Sequence, residues 1–490
     1  MKIINGKQKA LQELRRISQR TTSGDNKKIN SIVENILQEV KFHGDIAVEK
    51  YTKKFDGFYP KPMQVSTRDL KTAWEETDQH LKQSLEIAYQ RIKKFHEKEI
   101  PESFTIKGEY GDFVQRRWMP VKKAGLYIPG GRAAYPSTVL MNAIPAKVAG
   151  VKEISMVSPG NTKGEINTTV LAAAYLSGVD KVFRIGGAQA IGALAFGTKQ
   201  INKVDVISGP GNIYVTTAKK LIYGFTGIDS LAGPSEILII ADRTANSSQI
   251  ASDLLAQAEH DPLASSILLT TSNDQAQEVF DEVFKKIEHH PRKEICIQSI
   301  KNWGLIAICE NLESCVELSN EYAPEHLEII TIDPKTTLKS IENAGAIFLG
   351  KWTPEAVGDY LAGPNHTLPT CGNARFSGSL GVETFMKNSS IIEFNEKSLK
   401  INSLDIINLA NSEGLHSHAN SVKIRFEDYH PLVSEINFGT FFSIFPTKTL
   451  SVKSTKSPFS KTPGILLIRI SKSFGSLIPA SNKTSKIKLP

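Results

Sequence analysis

The chain has 490 residues and a formal net charge of +8, from 59 Lys and Arg against 51 Asp and Glu. Residues 431–490 carry all of this excess, so the rest of the chain has no net charge, its charge does not indicate nucleic-acid binding, and no nucleic-acid partner is expected. No apolar run reaches the length of a membrane span and the N-terminus has no apolar signal segment, which predicts a cytoplasmic protein without a membrane partner.

Residues 1–115 are predicted to form polar helices, and NSIVENILQEVKFHG (30–44) has the clearest amphipathic pattern. From about Val121 the pattern changes to short β-rich runs, each followed by Gly or Pro and then by a helical pattern. Such an alternation of strand, turn and helix predicts an α/β fold with mostly parallel sheets.

The chain is expected to divide into several parts. Residues 122–236 are predicted to be an inserted α/β unit, with a second sheet built from the residues on either side of it, 24–121 and 237–381. An N-terminal helical segment (1–23) and a smaller, mostly helical segment (382–430) are expected to flank these units. The final residues, 431–490, are rich in Ser and Lys without sustained periodicity, which predicts a weakly ordered, dispensable extension.

Two glycine-rich turns follow predicted strands and open predicted helices, RIGGAQAIGALAFG (184–197) and ISGPGNIYV (207–215). Helix N-terminal amides exposed in this way can bind an anion such as a pyrophosphate. Tight strand-to-helix turns also need glycine for steric reasons, and neither turn is a full dinucleotide fingerprint. Nucleotide binding and simple turn geometry therefore both remain open at this point.

A helix is predicted to end in the stretch AQAEHDPLA (256–264). Apolar residues recur at helical spacing before this stretch, and Pro262 stops the run. On such a helix Gln257 and His260 are three residues apart, so both side chains are expected to leave the same face.

Later segments add further isolated polar residues beside turns, namely Asp359 with His366, and Glu413 with His418. Imidazole and carboxylate groups together suit Zn²⁺ or a similar ion, and a glutamine among them favours a catalytic site over a closed structural one. Each residue also has an ordinary interpretation. His260 could interact with a helix dipole, Asp359 could form a turn, and His418 could be a solvated helical residue.

Glu325 and His326 follow Pro324 at the start of a predicted strand. A carboxylate beside an imidazole offers two groups that titrate on either side of neutral pH, as successive general-base steps require. An exposed polar pair at a strand entry would have the same sequence.

Eight longer strings occur in one order along the chain: GLYIPGGRAAYPSTVLMNAIPAKVAGV, RIGGAQAIGALAFGT, DVISGPGNIYVTTAKKLIYG, AGPSEILIIAD, LLAQAEHDP, EYAPEHLEI, GDYLAGPNHTLPT and EGLHSHANSVKIR. Together they resemble the L-histidinol dehydrogenase family, from about residue 10 to residue 425. The resemblance implies two incomplete Rossmann-like domains with mostly parallel sheets and small helical terminal segments. It also implies a cytoplasmic homodimer in which the C-terminal segment is swapped onto the partner.

The family oxidises L-histidinol to L-histidine with two NAD⁺ and one Zn²⁺ per active site. By resemblance, His326 would be the base that removes the alcohol proton, and Glu325 would activate water to hydrate the aldehyde. The other roles implied are metal ligands (Gln257, His260, Asp359, His418), substrate contacts (Ser235, Gln257, His260, His326, Asp359, Glu413, His418) and NAD contacts (Tyr127, Gln189, Asn212). In the swapped dimer, Glu413 and His418 would complete the neighbouring subunit's site.

Two other classes of protein remain as alternatives. A zinc hydrolase could use Glu325 to activate water, but it would leave the glycine turns unexplained. A non-catalytic module could bind nucleic acid through the basic tail. A thiol-based aldehyde dehydrogenase is a variant of the oxidoreductase interpretation, with Cys371, near NHTLPT, as the candidate nucleophile. Cys371, however, matches no nucleophile of the family.

Overall fold

The structure is a computed structural model that describes residues 1–20, 26–130, 134–231 and 233–426. It divides into two units, Met1–Asn402 and Ser403–Pro490. The predicted weak order of residues 431–490 lies outside the described residues. Among the described helices, none combines the length and the apolar character needed to cross a membrane.

The strands, numbered in chain order, are β1 (Lys2–Asn5), β2 (Gln64–Val65), β3 (Phe104–Lys107), β4 (Phe113–Pro120), β5 (Lys123–Tyr127), β6 (Glu153–Val157), β7 (Lys181–Phe183), β8 (Val206–Ser208), β9 (Gly227–Ile228), β10 (Glu236–Ala241), β11 (Ser265–Thr270), β12 (Gly304–Ile308), β13 (His326–Ile330), β14 (Ala346–Leu349) and β15 (Met386–Glu393).

The α-helices are α1 (Lys7–Ser18), α2 (Asn26–His43), α3 (Asp45–Asp56), α4 (Thr67–Glu76), α5 (Gln79–His96), α6 (Pro136–Ala149), α7 (Thr168–Leu176), α8 (Gly187–Phe196), α9 (Ile213–Ile222), α10 (Ser247–Ala258), α11 (Asn273–Ile287), α12 (Lys293–Trp303), α13 (Leu312–Tyr322), α14 (Pro334–Leu338), α15 (Glu355–Tyr360), α16 (Glu396–Ser412) and α17 (His416–Lys423).

Sheet I has the strand order β2-β7-β6-β5-β8-β9 and is parallel except for the short edge strand β2. Helices cover both faces, as a parallel sheet requires: α4 to α7 pack on one face, and α2, α3, α8 and α9 pack on the other. The central helix α6 is apolar around most of its surface. It begins with Pro136 in its first turn and ends at Gly150, whose φ of +90° is the left-handed conformation that stops a helix.

Sheet II has the order β1-β12-β11-β10-β13-β14, and all its strand pairs are parallel. Helices α10, α11 and α12 pack on one face, and α1 and α13 pack on the other. The predicted α/β class with two mostly parallel, Rossmann-like sheets is therefore confirmed. The boundaries expected at residues 121, 236 and 381 stay a prediction, and the packing of α2 to α5 favours grouping those helices with sheet I.

Two features differ from the sequence-based expectation. The N-terminal segment was expected to be helical, but it opens with β1, which extends sheet II. An antiparallel sheet III, with the order β15-β4-β3, joins residues 104–120 to residues 386–393. All four residues of β3 are exposed and most of β15 is exposed, so neither strand has the apolar alternation that marks a half-buried strand.

The second unit is described through residue 426 and contains the end of α16, followed by α17. Gly414, with φ of +74°, lies between the two helices, and the N–H of Leu415 donates to the carbonyl of Ala410 at 2.8 Å. Ala419 and Val422 are buried on α17.

Candidate active site

The predicted catalytic pair lies where two adjacent strands of sheet II begin. Glu325 immediately precedes β13 and His326 is its first residue, in register with Ile237 near the start of β10. Because a helix that follows a parallel strand runs back along the sheet, the C-terminal end of α10 reaches the same edge. The site therefore forms at the amino edge of sheet II, whereas ligands of open α/β sheets usually bind at the carboxyl edge.

Both ends of helix α10 are defined by the local sequence. The Asn246 side chain caps the first turn by accepting the N–H groups of Ser248 and Gln249, at 3.0 and 3.1 Å. The helix ends at Ala258, so Gln257 belongs to its last turn, whereas His260 lies beyond the helix in the turn that leads to Pro262. This corrects the expectation of a shared helical face. The N–H of His260 donates to the carbonyl of Gln257 at 3.2 Å, which still keeps the two residues adjacent.

The Gln257 side chain is fully buried beneath this turn. Its amide nitrogen lies 3.0 Å from Glu355 Oε1 and 3.2 Å from both the carbonyl oxygen of Glu236 and His326 Nδ1, and its two hydrogens are donated to the two oxygens. The opposite orientation would place the amide oxygen against these same acceptors, which is unfavourable.

Three further side chains converge beside Gln257. One ligand atom from each of His260, Glu355 and Asp359 lies within 4.8 Å of the other two. Asp359 Oδ1 is also 3.7 Å from His366 Nδ1. Sequence reasoning missed Glu355, although it lies four residues before Asp359 on α15 and this spacing places the two side chains on one helical face.

The Glu325–His326 pair is buried, with 6% and 4% of each residue exposed, so it is not an exposed polar pair at a strand entry. Glu325 Oε2 accepts the backbone N–H of Glu236 at 2.8 Å. His326 Nδ1 lies 3.0 Å from the carbonyl oxygen of Glu236 and must donate its proton there, because a carbonyl is only an acceptor. His326 Nε2 is buried and has no hydrogen-bond partner among the described residues.

Burial controls the protonation states of these groups. It raises the pKa of the Glu325 carboxyl well above its usual value, and the carboxylate of Glu236 adds to the effect. Burial likewise raises the pKa of Glu355, with Asp359 and Glu325 as further contributors. Burial lowers the pKa of His326 to about 4, so its imidazole is neutral at pH 7. These shifts are typical of functional sites.

The residues predicted to contact NAD lie on the other sheet. Tyr127 ends β5, and its buried hydroxyl accepts the N–H of Gly187 at 3.2 Å, at the first glycine-rich turn. Asn212 caps α9 by accepting the N–H groups of Tyr214 and Val215 at 3.0 and 3.2 Å. Both therefore lie at the carboxyl edge of sheet I, where glycine turns follow β7 and β8.

Gln189 is 1% exposed near the start of α8, and neither its amide oxygen nor its nitrogen has a hydrogen-bond partner among the described residues. At the second turn, Gly209 has φ of +114°, and a Cβ there would collide with the backbone carbonyl of Tyr127. Glycine is therefore required at this position, and the two turns lie close to β5.

Three residues predicted to contact the substrate remain: Ser235, Glu413 and His418. Ser235 is half-buried immediately before Glu236, and its carbonyl accepts the N–H of Ser265 at 3.0 Å. Glu413 and His418 belong to the second unit, and both are exposed.

Comparisons with known proteins show the family to which the chain belongs. The sequence model of the family described as "Histidinol dehydrogenase" matches residues 19–426. The chain belongs to the histidinol dehydrogenase family. It is 97% identical over 428 residues to a histidinol dehydrogenase of Prochlorococcus marinus subsp. pastoris, a match that covers 87% of this chain and 100% of that protein.

Two other histidinol dehydrogenases give a similar coverage. A protein from Prochlorococcus marinus strain SARG is 58% identical, over 86% of this chain and 96% of its own. The crystal structure of histidinol dehydrogenase from Elizabethkingia anophelis superposes with a TM-score of 0.80 at 37% identity, over 86% of this chain and 97% of that chain.

The residues present fit the zinc ion and the NAD⁺ that the histidinol dehydrogenase resemblance implies. Imidazole and carboxylate donors, without thiolate, are suitable ligands for Zn²⁺, and the cluster of His260, Glu355 and Asp359 provides them beside the Gln257 amide. A buried amide without partners is costly in a protein interior, so Gln189 provides unused donors and acceptors for a ligand at the glycine turns.

Proposed function

We propose that this enzyme catalyses the zinc-dependent, NAD⁺-linked oxidation of L-histidinol through L-histidinal to L-histidine, the last step of histidine biosynthesis. The observation that carries the proposal is the meeting of two groups at the amino edge of sheet II. A buried Glu325–His326 pair, whose Nε2 has no hydrogen-bond partner in the described part of the chain, lies beside a cluster of Gln257, His260, Glu355 and Asp359 that is suited to a divalent ion.

Gln257, His260 and Asp359 would hold the metal, with His418 of a second copy as a further ligand. When bound, Zn²⁺ would anchor the imidazole and amine of histidinol, since it has no redox chemistry of its own. Ser235 would contact the same substrate from the residue before β10. Glu355 is so close to this cluster that we add it as a metal-binding or substrate-binding residue.

His326 would act in the first oxidation. Its Nδ1–H is directed to the carbonyl of Glu236, so Nε2 is the atom that can accept the hydroxyl proton of histidinol. A neutral imidazole at pH 7 is required for this step, and burial provides it. Tyr127, Gln189 and Asn212 would hold NAD⁺, which would supply the hydride acceptor for the oxidation of the carbinol carbon to the aldehyde.

Glu325 would act between the two oxidations. As a base it would take a proton from water while the water oxygen adds to the aldehyde carbon, and the return of this proton to the former carbonyl oxygen gives the hydrate. Removal of a hydroxyl proton and of a second hydride from this hydrate gives the carboxylic acid and a second NADH, and the acid then releases its own proton to water to give the carboxylate. The raised pKa of the Glu325 carboxyl makes its conjugate base stronger than that of an ordinary glutamate.

We further propose a cytoplasmic homodimer in which the C-terminal segment is exchanged, so that Glu413 and His418 contact the substrate and metal of the neighbouring subunit. Both residues are exposed, as is expected in a single chain for residues that contact a second subunit. Sedimentation of the purified chain tests the dimer, and a single species with the mass of one chain would contradict it.

The experiment that tests the function is an absorbance assay for NADH with L-histidinol and NAD⁺, before and after treatment with a chelator. The proposal expects NADH formation that is lost on chelation and restored by zinc. NADH formation that survives complete metal removal would contradict the zinc requirement. Zinc-dependent hydrolysis without NADH would instead favour the hydrolase alternative that uses Glu325.

A further inference from the structure

The peptide groups of Glu236, the first residue of β10, contact three side chains of the candidate active site. Its N–H donates to Glu325 Oε2 at 2.8 Å. Its carbonyl oxygen accepts the Nδ1–H of His326 at 3.0 Å and the amide of Gln257 at 3.2 Å. The position of this one residue therefore fixes both members of the catalytic pair.

The carbonyl of Glu236 also selects the tautomer of His326. It accepts hydrogen bonds and cannot donate them, so the neutral imidazole must carry its proton on Nδ1. Nε2 is then the basic nitrogen, and it is the atom with no partner among the described residues. A shift of the Glu236 carbonyl would release the ring and allow the opposite tautomer, which could not accept a proton at Nε2.

The Glu236 side chain is held by a buried ion pair with Arg20. Arg20 Nη1 and Glu236 Oε1 are 2.9 Å apart, and both side chains are completely buried. The hydroxyl of Tyr322 donates to the same Oε1 at 3.1 Å and lies 2.9 Å from Ser265 Oγ. The side chain of Glu236 is thus held by Arg20 and Tyr322, while its peptide groups contact the catalytic pair.

Arg20 also holds the segments that flank this strand. Its guanidinium donates to the carbonyls of Pro234 and Leu263, at 2.9 and 2.8 Å, and to the carbonyl of Ile17 at 3.0 Å. A planar guanidinium can make these bonds and pair with Glu236 at once, whereas a lysine ammonium cannot span the same set.

We propose that Arg20 and Glu236 are positioning residues for His326, because their ion pair holds the Glu236 peptide that fixes the imidazole as a base at Nε2. The catalytic part of this inference rests on the proposed function. The tautomer of His326 does not, because it is a property of the folded protein without substrate.

The test compares Arg20→Met and Arg20→Lys with a control, Arg15→Met, on helix α1, which ends at Ser18, two residues before Arg20. Arg15 pairs with Glu321 at 2.9 Å on the surface, with 62% of its side chain exposed. Arg20→Met is expected to lower kcat about tenfold or more while zinc content and the KM for histidinol change about twofold or less. Arg20→Lys should recover part of kcat, and Arg15→Met should match the unchanged enzyme. Full kcat in Arg20→Met, or a parallel loss of zinc and kcat, would overturn the proposal.

Because Arg20→Met leaves a buried carboxylate unpaired, it could fail to fold, so a second variant removes both charges. Arg20→Met/Glu236→Leu should regain thermal stability, since an apolar pair can replace a buried ion pair. Its kcat should nevertheless stay low, because the bonds that hold the Glu236 peptide are still missing. Recovery of kcat together with stability would show that the ion pair is only structural, and would contradict the proposal.

A spectroscopic readout separates this inference from the proposed function. In protein labelled with ¹⁵N-histidine, the His326 signal, assigned by its loss in His326→Gln, should show the Nδ1–H tautomer at neutral pH. The signal should change in Arg20→Met and persist in Arg15→Met. A chain that forms no NADH but shows this pattern would refute only the function. An Nε2–H tautomer in the unchanged protein would refute the positioning role.

Discussion

Replacing Lys219 with Met tests whether a buried ion pair holds the second glycine turn. The Lys219 ammonium is 2% exposed, pairs with the carboxylate of Asp229, which is 3% exposed, and donates to the carbonyl of Gly209 at 3.0 Å. Asp229 Oδ2 accepts the N–H of the same glycine at 2.8 Å. Both charged groups therefore fix Gly209, where the close approach of the Tyr127 backbone leaves no room for a Cβ.

The expected magnitude follows from the charge that the substitution leaves behind. Lys219→Met keeps the length of the side chain but leaves the Asp229 carboxylate buried without its partner, which should cost about 3–5 kcal/mol in the free energy of unfolding. Lys219→Met/Asp229→Asn removes both charges and retains an oxygen to accept the N–H of Gly209. It should cost about 1–2 kcal/mol, mostly for the lost bond to the Gly209 carbonyl.

Urea unfolding followed by circular dichroism measures both free energies, and equilibrium titration measures NAD⁺ affinity. The single variant should also bind NAD⁺ more weakly than the double variant, because the turn that precedes Asn212 is held less firmly. The reasoning is refuted if Lys219→Met costs less than about 1 kcal/mol, or if the double variant is as destabilised as the single one.

Three other predictions concern sheet II. Burial raises the pKa of Asp253 to about 6, so the folded state binds this proton more strongly than the unfolded state. The stabilisation is present below about pH 4 and is lost as the pH rises through about 6, and urea unfolding over this range should show a flatter pH dependence in Asp253→Asn. Glu355→Gln should weaken zinc binding about 10–100-fold in a competition assay with a chelator, whereas Glu342→Gln, at an exposed position, should not. Glu325→Gln should slow the second oxidation, so that histidinal accumulates and the NADH formed per histidinol falls from two towards one, and an unchanged ratio would contradict the role given to Glu325.

The local sequence was sufficient to predict the two mostly parallel sheets. Their strands are short apolar runs followed by glycine turns, and this pattern depends on neighbouring residues alone. Sheet III could not be predicted in this way, because Phe113–Pro120 pairs with Met386–Glu393 across more than half of the chain and neither strand contains a buried residue.

The same distinction applies to the candidate site. Gln257, His260 and Asp359 were predicted because they stand beside turns in recognisable strings. Glu236 was missed because a glutamate that opens an apolar strand shows its role only through Arg20, a residue 216 positions earlier. The amino-edge location of the site was also unpredictable, since it depends on where α10 and α15 end relative to β13.

The most direct test of the proposed reaction is the ratio of NADH formed to histidinol consumed, measured at completion with the zinc-loaded enzyme and excess NAD⁺. The proposed four-electron oxidation predicts two NADH for each histidinol, with histidine as the sole product. One NADH with accumulated histidinal, or histidinol consumed without NADH, would contradict it.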